Sequence, residues 1–196
     1  MNGAKTECLS PARPDALLSV AVVGLRIFAG VSLMALAAQV RFPVPGTEVP
    51  ATLQSFALLL VAFTLRPVEA FSAMIAYLAV GFCGIPVFAA ALPGTFGSTS
   101  GFLLGFAIVA PLIALMSGRS AGFRRLMFSG LLGFAVLFMI GNLWRWGYWS
   151  QVDGREVSFV AMLATGLLPF VPKALVELVL AALLVSAMRR GRGGQS

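Results

Sequence analysis

Long apolar runs, separated by short polar or proline-rich and glycine-rich segments, dominate this chain. A helix advances 1.5 Å per residue, so crossing a bilayer core about 30 Å thick takes roughly 20 apolar residues. The pattern predicts six spans, at about residues 17–40, 52–65, 68–83, 101–117, 126–144 and 157–188. We therefore predict an all-α integral membrane protein, with a polar tail over 1–16, one six-helix domain over 17–190 and a C-terminal tail over 191–196.

The breaks between spans coincide with residues that disfavour helices. Arg66 and Pro67 separate the second and third spans, and placing them with Glu69 inside one helix would cost about 2–3 kcal/mol each. Prolines, glycines and hydroxyl residues cluster over 84–100, between the third and fourth spans. Prolines also divide the last run into an entering segment and a final helix. An aromatic cluster that follows the fifth span is typical of a membrane surface and comprises Trp144, Trp146, Tyr148 and Trp149.

The composition supports a membrane location and excludes several classes of function. Hydrophobic residues make up 59% of the chain and charged residues 11%, against about 25% charged in ordinary soluble domains. The net charge of +7 is scattered between apolar runs, which argues against nucleic-acid binding. The chain has no histidine, and its two cysteines show no metal-ligand spacing. Hydrolytic or redox catalysis and a metal cofactor are therefore not expected.

The basic residues predict an orientation. With six spans, nine basic residues fall on the side of the termini and three on the other side. The positive-inside rule then places both termini in the cytoplasm. A five-span arrangement would move one arginine-rich end outside and weaken this asymmetry.

Three irregular segments then fall on the outer side: residues 41–52, residues 84–100 and the entry to the last helix around 169–173. They are rich in Pro, Gly, Phe and Thr and carry little charge. Irregular backbone at membrane depth is tolerated where protein or a cavity surrounds it. These segments predict a pocket open to the outside, although they could instead be tight connections between spans.

Specific strings in these segments resemble a known family. The string AQVRFPVPGTEVPATLQSFALLL, residues 38–60, and the string GIPVFAAALPGTFGSTSGFLLGF, residues 84–106, are similar to the BioY family, the biotin-binding S components of energy-coupling-factor (ECF) transporters. LLPFVPKALVE, residues 167–177, is a partial match. The resemblance implies a biotin pocket on the outer half, covered by the first loop and lined by the third loop and the start of the last helix.

Biotin joins an apolar bicycle and chain to a ureido group and a carboxylate, so its pocket should be mostly apolar with a few placed polar groups. The neutral polar candidates are Thr52, Gln54, Thr99, Ser100 and Asn142. Candidate apolar walls are Phe88, Phe96 and Phe102. For the aromatic residues, ordinary helix packing is the alternative interpretation.

The chain also departs from the family pattern. Phe102 stands where the family usually has tyrosine, and PKALVE stands where it usually has PGDLxK. Lys173 and Glu177 are spaced i, i+4 and share one helical face, so they either serve the ligand or neutralise each other. Lys173 is the candidate partner for the ligand carboxylate, and Arg41 is the reserve. These changes leave open whether the ligand is biotin.

No GxxxxGK[ST] motif occurs, so the chain is not expected to hydrolyse ATP. The resemblance implies a bacterial cytoplasmic-membrane subunit that works with a transmembrane coupling protein and two ATPase subunits. Small residues of the first helix, Ala29, Gly30 and Ser32, could contact that coupling protein, or could serve helix packing alone. Two alternatives remain: the same fold carrying another small vitamin or apolar carboxylate, and a structural membrane protein without a ligand.

Overall fold

The computed structural model describes residues 14–44, 50–89, 97–151, 154 and 158–193. Within them the chain forms seven helices and one two-stranded sheet. The helices are α1 (Pro14–Gln39), α2 (Gln54–Thr64), α3 (Pro67–Phe82), α4 (Ser100–Ser117), α5 (Phe123–Gln151), α6 (Phe159–Gly166) and α7 (Val171–Gly193). The strands β1 (Arg41–Phe42) and β2 (Ala51–Thr52) pair antiparallel within the first loop.

Several of the predicted breaks coincide with the helix ends. Pro67 begins α3, where its missing N–H costs nothing. The backbone N–H of Arg66 donates to Glu69 Oε2 at 3.0 Å and closes this turn. Gly84 (φ 95°) follows α3, and Gly118 (φ 62°) ends α4; both adopt the left-handed backbone that glycine permits.

One predicted span differs clearly from the structure. The fifth does not end at Trp144: α5 continues to Gln151, so the aromatic cluster lies within a helix instead of after one. The last run is divided as its prolines predict: it forms two helices, because Pro169, in the turn between them, cannot donate a helical hydrogen bond. The prediction of six helices is therefore not confirmed. Four helices, α1, α4, α5 and α7, are long and apolar enough to cross a membrane, while α2 and α3 are apolar but shorter.

The core forms where α4 packs against α2, α3 and α5. Gly101 and Gly105 of α4 form a GxxxG pair: a Cβ on Gly101 would lie 2.1 Å from Trp144 Cβ, and one on Gly105 would lie 2.9 Å from Leu137 Cδ1. Only glycine allows α4 and α5 to approach this closely. The pair α4–α5 thereby positions the residues that follow Leu137 on α5.

Arginines tie the helices together at the end where α2 runs into α3. Arg26 of α1 pairs with Glu69 at 3.3 Å. Arg189 of α7 donates to backbone carbonyls of Phe63, Gly118 and Ala121, near the ends of α2 and α4. These contacts hold the end of α7 against the ends of α2 and α4, which run parallel to it. They also place the end of α7 opposite the end where α2 and α4 begin.

Some predicted features lie outside the described residues. They are residues 1–13 of the predicted tail, 45–49 of the first loop, 90–96 of the third loop with Phe96, and 194–196 at the C-terminus.

Candidate ligand-binding site

A cavity of about 120 Å³ lies at the end where α2, α4 and α7 begin. By the same measure one water needs only about 10–15 Å³, so the cavity is too large to be a packing defect. Its lining is mostly aromatic and aliphatic: Pro50, Ala51, Thr52, Gln54, Ser55, Phe88, Ala89, Thr99, Phe102, Leu103, Phe106, Phe134, Leu137, Phe138, Arg145, Gly166, Phe170, Lys173 and Ala174.

A hydrogen-bond chain centred on Gln54 connects the first loop to the third. Thr52 Oγ1 donates to Gln54 Oε1 at 3.1 Å, and Gln54 Nε2 donates to Tyr77 Oη at 2.9 Å. Tyr77 Oη in turn donates to the backbone carbonyl of Val87 at 3.0 Å. Gln54 and Tyr77 are buried, so each of these hydrogen bonds offsets the free-energy cost of removing a polar atom from water. The chain holds the wall segments 51–54 and 87–89 together.

Lys173, Ser55 and Glu177 form a closed polar cluster beside the cavity. Lys173 Nζ donates to Glu177 Oε1 at 2.7 Å and to Ser55 Oγ at 3.0 Å. Ser55 Oγ donates to Glu177 Oε2 at 2.6 Å. Glu177 is 5% exposed and lies behind Lys173, which reaches the cavity itself. The cluster joins α2 to α7 and carries no net charge.

The aromatic side chains of the cavity wall pack against residues of α3 and α5. Phe88 packs edge-on against Tyr77 and Phe82, with ring centres 5.4 Å apart in each case. A Cβ on Gly81 would lie 2.1 Å from the Phe88 ring, so this glycine makes room for the wall. Phe102 similarly lies against Gly141 of α5, at 2.2 Å from a Cβ placed there.

Arg145 of α5 also lines the cavity. It is 1% exposed, and its guanidinium carbon lies 4.6 Å from the ring centre of Trp149, one helical turn later. A Cβ on Gly166 would lie 2.3 Å from Arg145 Nη1 and 2.0 Å from Asn142 Oδ1. Gly166 at the end of α6 thus leaves the space that these two side chains occupy.

The structure brings six predicted residues to the cavity wall: Thr52, Gln54, Phe88, Thr99, Phe102 and Lys173. Three others lie close behind the wall. Glu177 pairs with Lys173, Asn142 lies against Gly166, and Ser100 Oγ accepts a hydrogen bond from the backbone N–H of Gly97 at 2.9 Å. Arg41 is different: it is exposed, donates to Gln39 Oε1 at 3.2 Å, and does not line the cavity.

A second concavity, of about 900 Å³, lies at the other end of the bundle between α1, α2 and α7. Ala29 and Gly30 line it, but the predicted patch is not one exposed face. Ala29 is exposed, Ser32 is half-buried, and Gly30 is buried, with the position of its Cβ 3.1 Å from Ala73 Cβ. Gly30 therefore serves the packing of α1 on α3.

Sequence reasoning missed Ser55, Tyr77 and Arg145. With a fifth span that ends at Trp144, Arg145 falls among the three basic residues predicted on the outer side. The residues Asn142, Arg145 and Trp149 nevertheless follow each other at spacings of three and four, which places them on one face of a helix. This spacing indicates that α5 continues past Trp144 and places Arg145 on the same face as Asn142.

The chain is similar to known proteins over most of its length. The model of the BioY family matches residues 14–193. The biotin transporter BioY2 of Lactococcus lactis subsp. cremoris is 32% identical over 171 residues, which cover 82% of this chain and 86% of that protein. The probable biotin transporter BioY of Rickettsia prowazekii is 24% identical, over 84% of this chain and 82% of its own length. The biotin transporter BioY of Thermotoga maritima is 29% identical, over 75% and 85%.

A solved structure shares the fold. It is the S-component for biotin from an ECF-type ABC transporter, with a TM-score of 0.73 and 18% sequence identity, covering 91% of this chain and 95% of that one. The family match spans nearly all of the described helices, and the named relatives are transporters and not enzymes. This chain belongs to the BioY family.

Proposed function

We propose that this chain captures biotin at the outer side of the membrane, as the substrate-binding subunit of an ECF-type vitamin uptake transporter. The observation that carries the proposal is the cavity: residues of both motif segments, among them Thr52, Gln54, Phe88 and Phe102, surround one space together with Lys173 of the last helix. The relatives named as biotin transporters supply the identity of the ligand.

The chemistry of the cavity suits biotin. Aromatic and aliphatic side chains supply most of the lining, as the bicycle and the aliphatic chain of biotin require. The polar groups stand at separate places on the wall: Thr52, Gln54, Ser55 and Lys173 near the start of α2 and α7, and Arg145 on α5. Biotin likewise carries its ureido group and its carboxylate at opposite ends. No cofactor is needed for such capture.

The membrane arrangement is part of the proposal. Residues 17–190 form the membrane domain of a protein of the bacterial cytoplasmic membrane, with both termini inside and the cavity facing outward. The excess of basic residues at the end that carries Arg66, Arg119 and Arg189 supports this orientation. Large exposed side chains on α1, including Leu25, Phe28 and Leu36, suit contact with lipid or with another membrane protein.

Energy for transport has to come from partners. A transmembrane coupling protein and two ATPase subunits would provide it, since the sequence has no nucleotide-binding loop of the GxxxxGK[ST] type. Exposed Ala29 and half-buried Ser32 of α1 are available for the contact with the coupling protein. Gly30 supports that surface from inside by letting α1 approach α3.

The test is equilibrium binding of labelled biotin to the purified chain in detergent. Saturable binding at one site per chain is expected, with displacement by unlabelled biotin. The absence of binding at micromolar biotin, in a sample whose folding is verified by size-exclusion chromatography and cooperative thermal unfolding, would exclude biotin as the ligand.

A second candidate function keeps the fold and changes the cargo to another small vitamin or apolar carboxylate. The basis for it is the exchanged charge order of Lys173 and Glu177 and the missing hydroxyl at Phe102. A screen of vitamins by thermal unfolding separates the two, because a ligand at 100 times its Kd stabilises the fold by about 2.7 kcal/mol. The cavity argues against the third alternative, a purely structural protein.

A further inference from the structure

The second concavity, between α1, α2 and α7, is lined by four arginines and by no acidic residue of the described chain. The arginines are Arg26, Arg119, Arg189 and Arg190. Of these four, only Arg26 has a carboxylate of the described residues within 4 Å, that of Glu69. The lining therefore carries three positive charges that this part of the chain does not neutralise.

The three remaining arginines offer donors of two kinds. Arg189 is held in place, because Nη1 donates to the carbonyl of Ala121 at 2.8 Å and Nη2 to the carbonyls of Phe63 and Gly118. A guanidinium has five N–H donors, so two are left for a ligand. Arg119, in the loop after α4, and Arg190, on α7, are exposed and can adjust their positions. Guanidinium groups match the oxygens of a phosphate in geometry and charge.

The lining becomes apolar with distance from the arginines. Leu33 lies seven positions after Arg26, about 10 Å farther along α1. Val185 lies one turn before Arg189 on α7, and Leu60 lies one turn before the end of α2. Arg26 and Arg189 are at the same end of the bundle, so these apolar side chains lie deeper in the membrane domain than the arginines.

The packing of the helices leaves this space beside α2. Both α1 and α7 pack on α2, which has only 11 residues and forms the bottom of the concavity between them. Leu33 is 36% exposed, and Leu25 and Phe28 of the same helix are exposed beside it. A hydrocarbon chain can therefore enter from the lipid side of α1. The concavity combines a cationic end with an apolar end, as a phospholipid combines a phosphate with acyl chains.

We propose that the second concavity binds an anionic phospholipid of the cytoplasmic leaflet. Its phosphate contacts Arg119, Arg189 and Arg190, and an acyl chain lies along Leu33 and Leu60. Basic pockets between membrane helices at the cytoplasmic side suit anionic head groups, whereas a zwitterionic lipid adds an ammonium group that the arginines repel. The leaflet follows from the proposed orientation, but lipid binding in detergent does not depend on it.

The test is native mass spectrometry of the full chain in detergent, titrated with dioleoyl phosphatidylglycerol or dioleoyl phosphatidylethanolamine. The wild type should bind phosphatidylglycerol about 10- to 30-fold more tightly, and Arg119→Gln/Arg190→Gln should lose most of this preference. The control Arg41→Gln/Arg124→Gln removes the same charge from exposed positions outside the concavity and should keep the preference. Glycerol 3-phosphate, which offers a phosphate without acyl chains, should not displace the lipid.

Equal binding of the two lipids by the wild type, or equal loss of preference in the two double variants, would overturn the proposal. Displacement by glycerol 3-phosphate would instead show a site for soluble phosphates. If Arg119→Gln/Arg190→Gln does not fold, added salt decides, since it should weaken the binding of phosphatidylglycerol and not that of phosphatidylethanolamine. A variant that loses co-purification with a tagged coupling protein, from a wild type without lipid preference, would assign the surface to that protein.

Discussion

A substitution of Glu177 tests how much the cluster of Lys173, Ser55 and Glu177 contributes to stability. Replacing it with Gln removes the charge that neutralises Lys173, so we expect the free energy of unfolding to fall by about 1–3 kcal/mol. The readout is the thermal unfolding midpoint of the purified protein in detergent. Lys173→Met/Glu177→Leu, which removes both charges together, should lie much closer to the wild type. A double variant less stable than Glu177→Gln would contradict this account of the pair.

The cluster of Lys173, Glu177 and Ser55 shows what a sequence can and cannot indicate about single residues. The i, i+4 spacing of Lys173 and Glu177 predicted that they share a face, and the structure contains their ion pair at 2.7 Å. The third member, Ser55, is 118 positions before Lys173 and is brought there only by the packing of α2 on α7. No local pattern reports such a contact.

Tyr77 tests how the elements around the cavity are coupled. Tyr77→Phe removes the hydroxyl that connects Gln54 of α2 to the Val87 carbonyl. We expect a loss of about 1–3 kcal/mol in the free energy of unfolding, since buried polar partners lose a hydrogen bond. We also expect faster release of biotin, measured by chasing bound label with unlabelled ligand. Tyr148→Phe, on the half-buried part of α5, is the matched control and should leave both quantities unchanged.

Gly101 tests the close approach of α4 and α5. Gly101→Ala puts a methyl group 2.1 Å from Trp144 Cβ, next to the backbone of α5, so the helices must separate. Overpacking of this kind costs about 1–3 kcal/mol, to be read from the thermal unfolding midpoint. Gly147→Ala meets no atom within 4 Å and serves as the control. Equal midpoints for the two variants would show that the contact is not as tight as described.

The predicted helix bounds are accurate where proline or glycine marks the end of a helix. Proline and glycine mark the ends of α3 and α4, and the predicted bounds there are within one residue of the observed ones. The end of α5 is marked less clearly: Trp144 to Gln151 contains no proline, its single glycine, Gly147, lies inside the helix, and its aromatic residues fit a surface belt and a helix equally well. The extension matters because it brings Arg145 to the cavity wall.

Cys83 tests the orientation of the whole molecule. It is exposed and follows α3, at the end of the bundle that carries the cavity. In a Cys8→Ser background, a membrane-impermeant maleimide should label Cys83 in intact cells. A Cys8→Ser/Cys83→Ser/Ser120→Cys variant moves the thiol to the exposed loop after α4 and should react only after lysis. Labelling of Cys83 only after lysis would reverse the proposed orientation.

At the scale of the molecule, the account states that segments far apart in the chain enclose one chamber for a small ligand. The most direct measurement is the structure of the full chain bound to biotin. We expect biotin in the cavity between Thr52, Phe102, Lys173 and Arg145. Biotin bound outside this cavity, or a cavity closed by side chains in the liganded protein, would contradict the account.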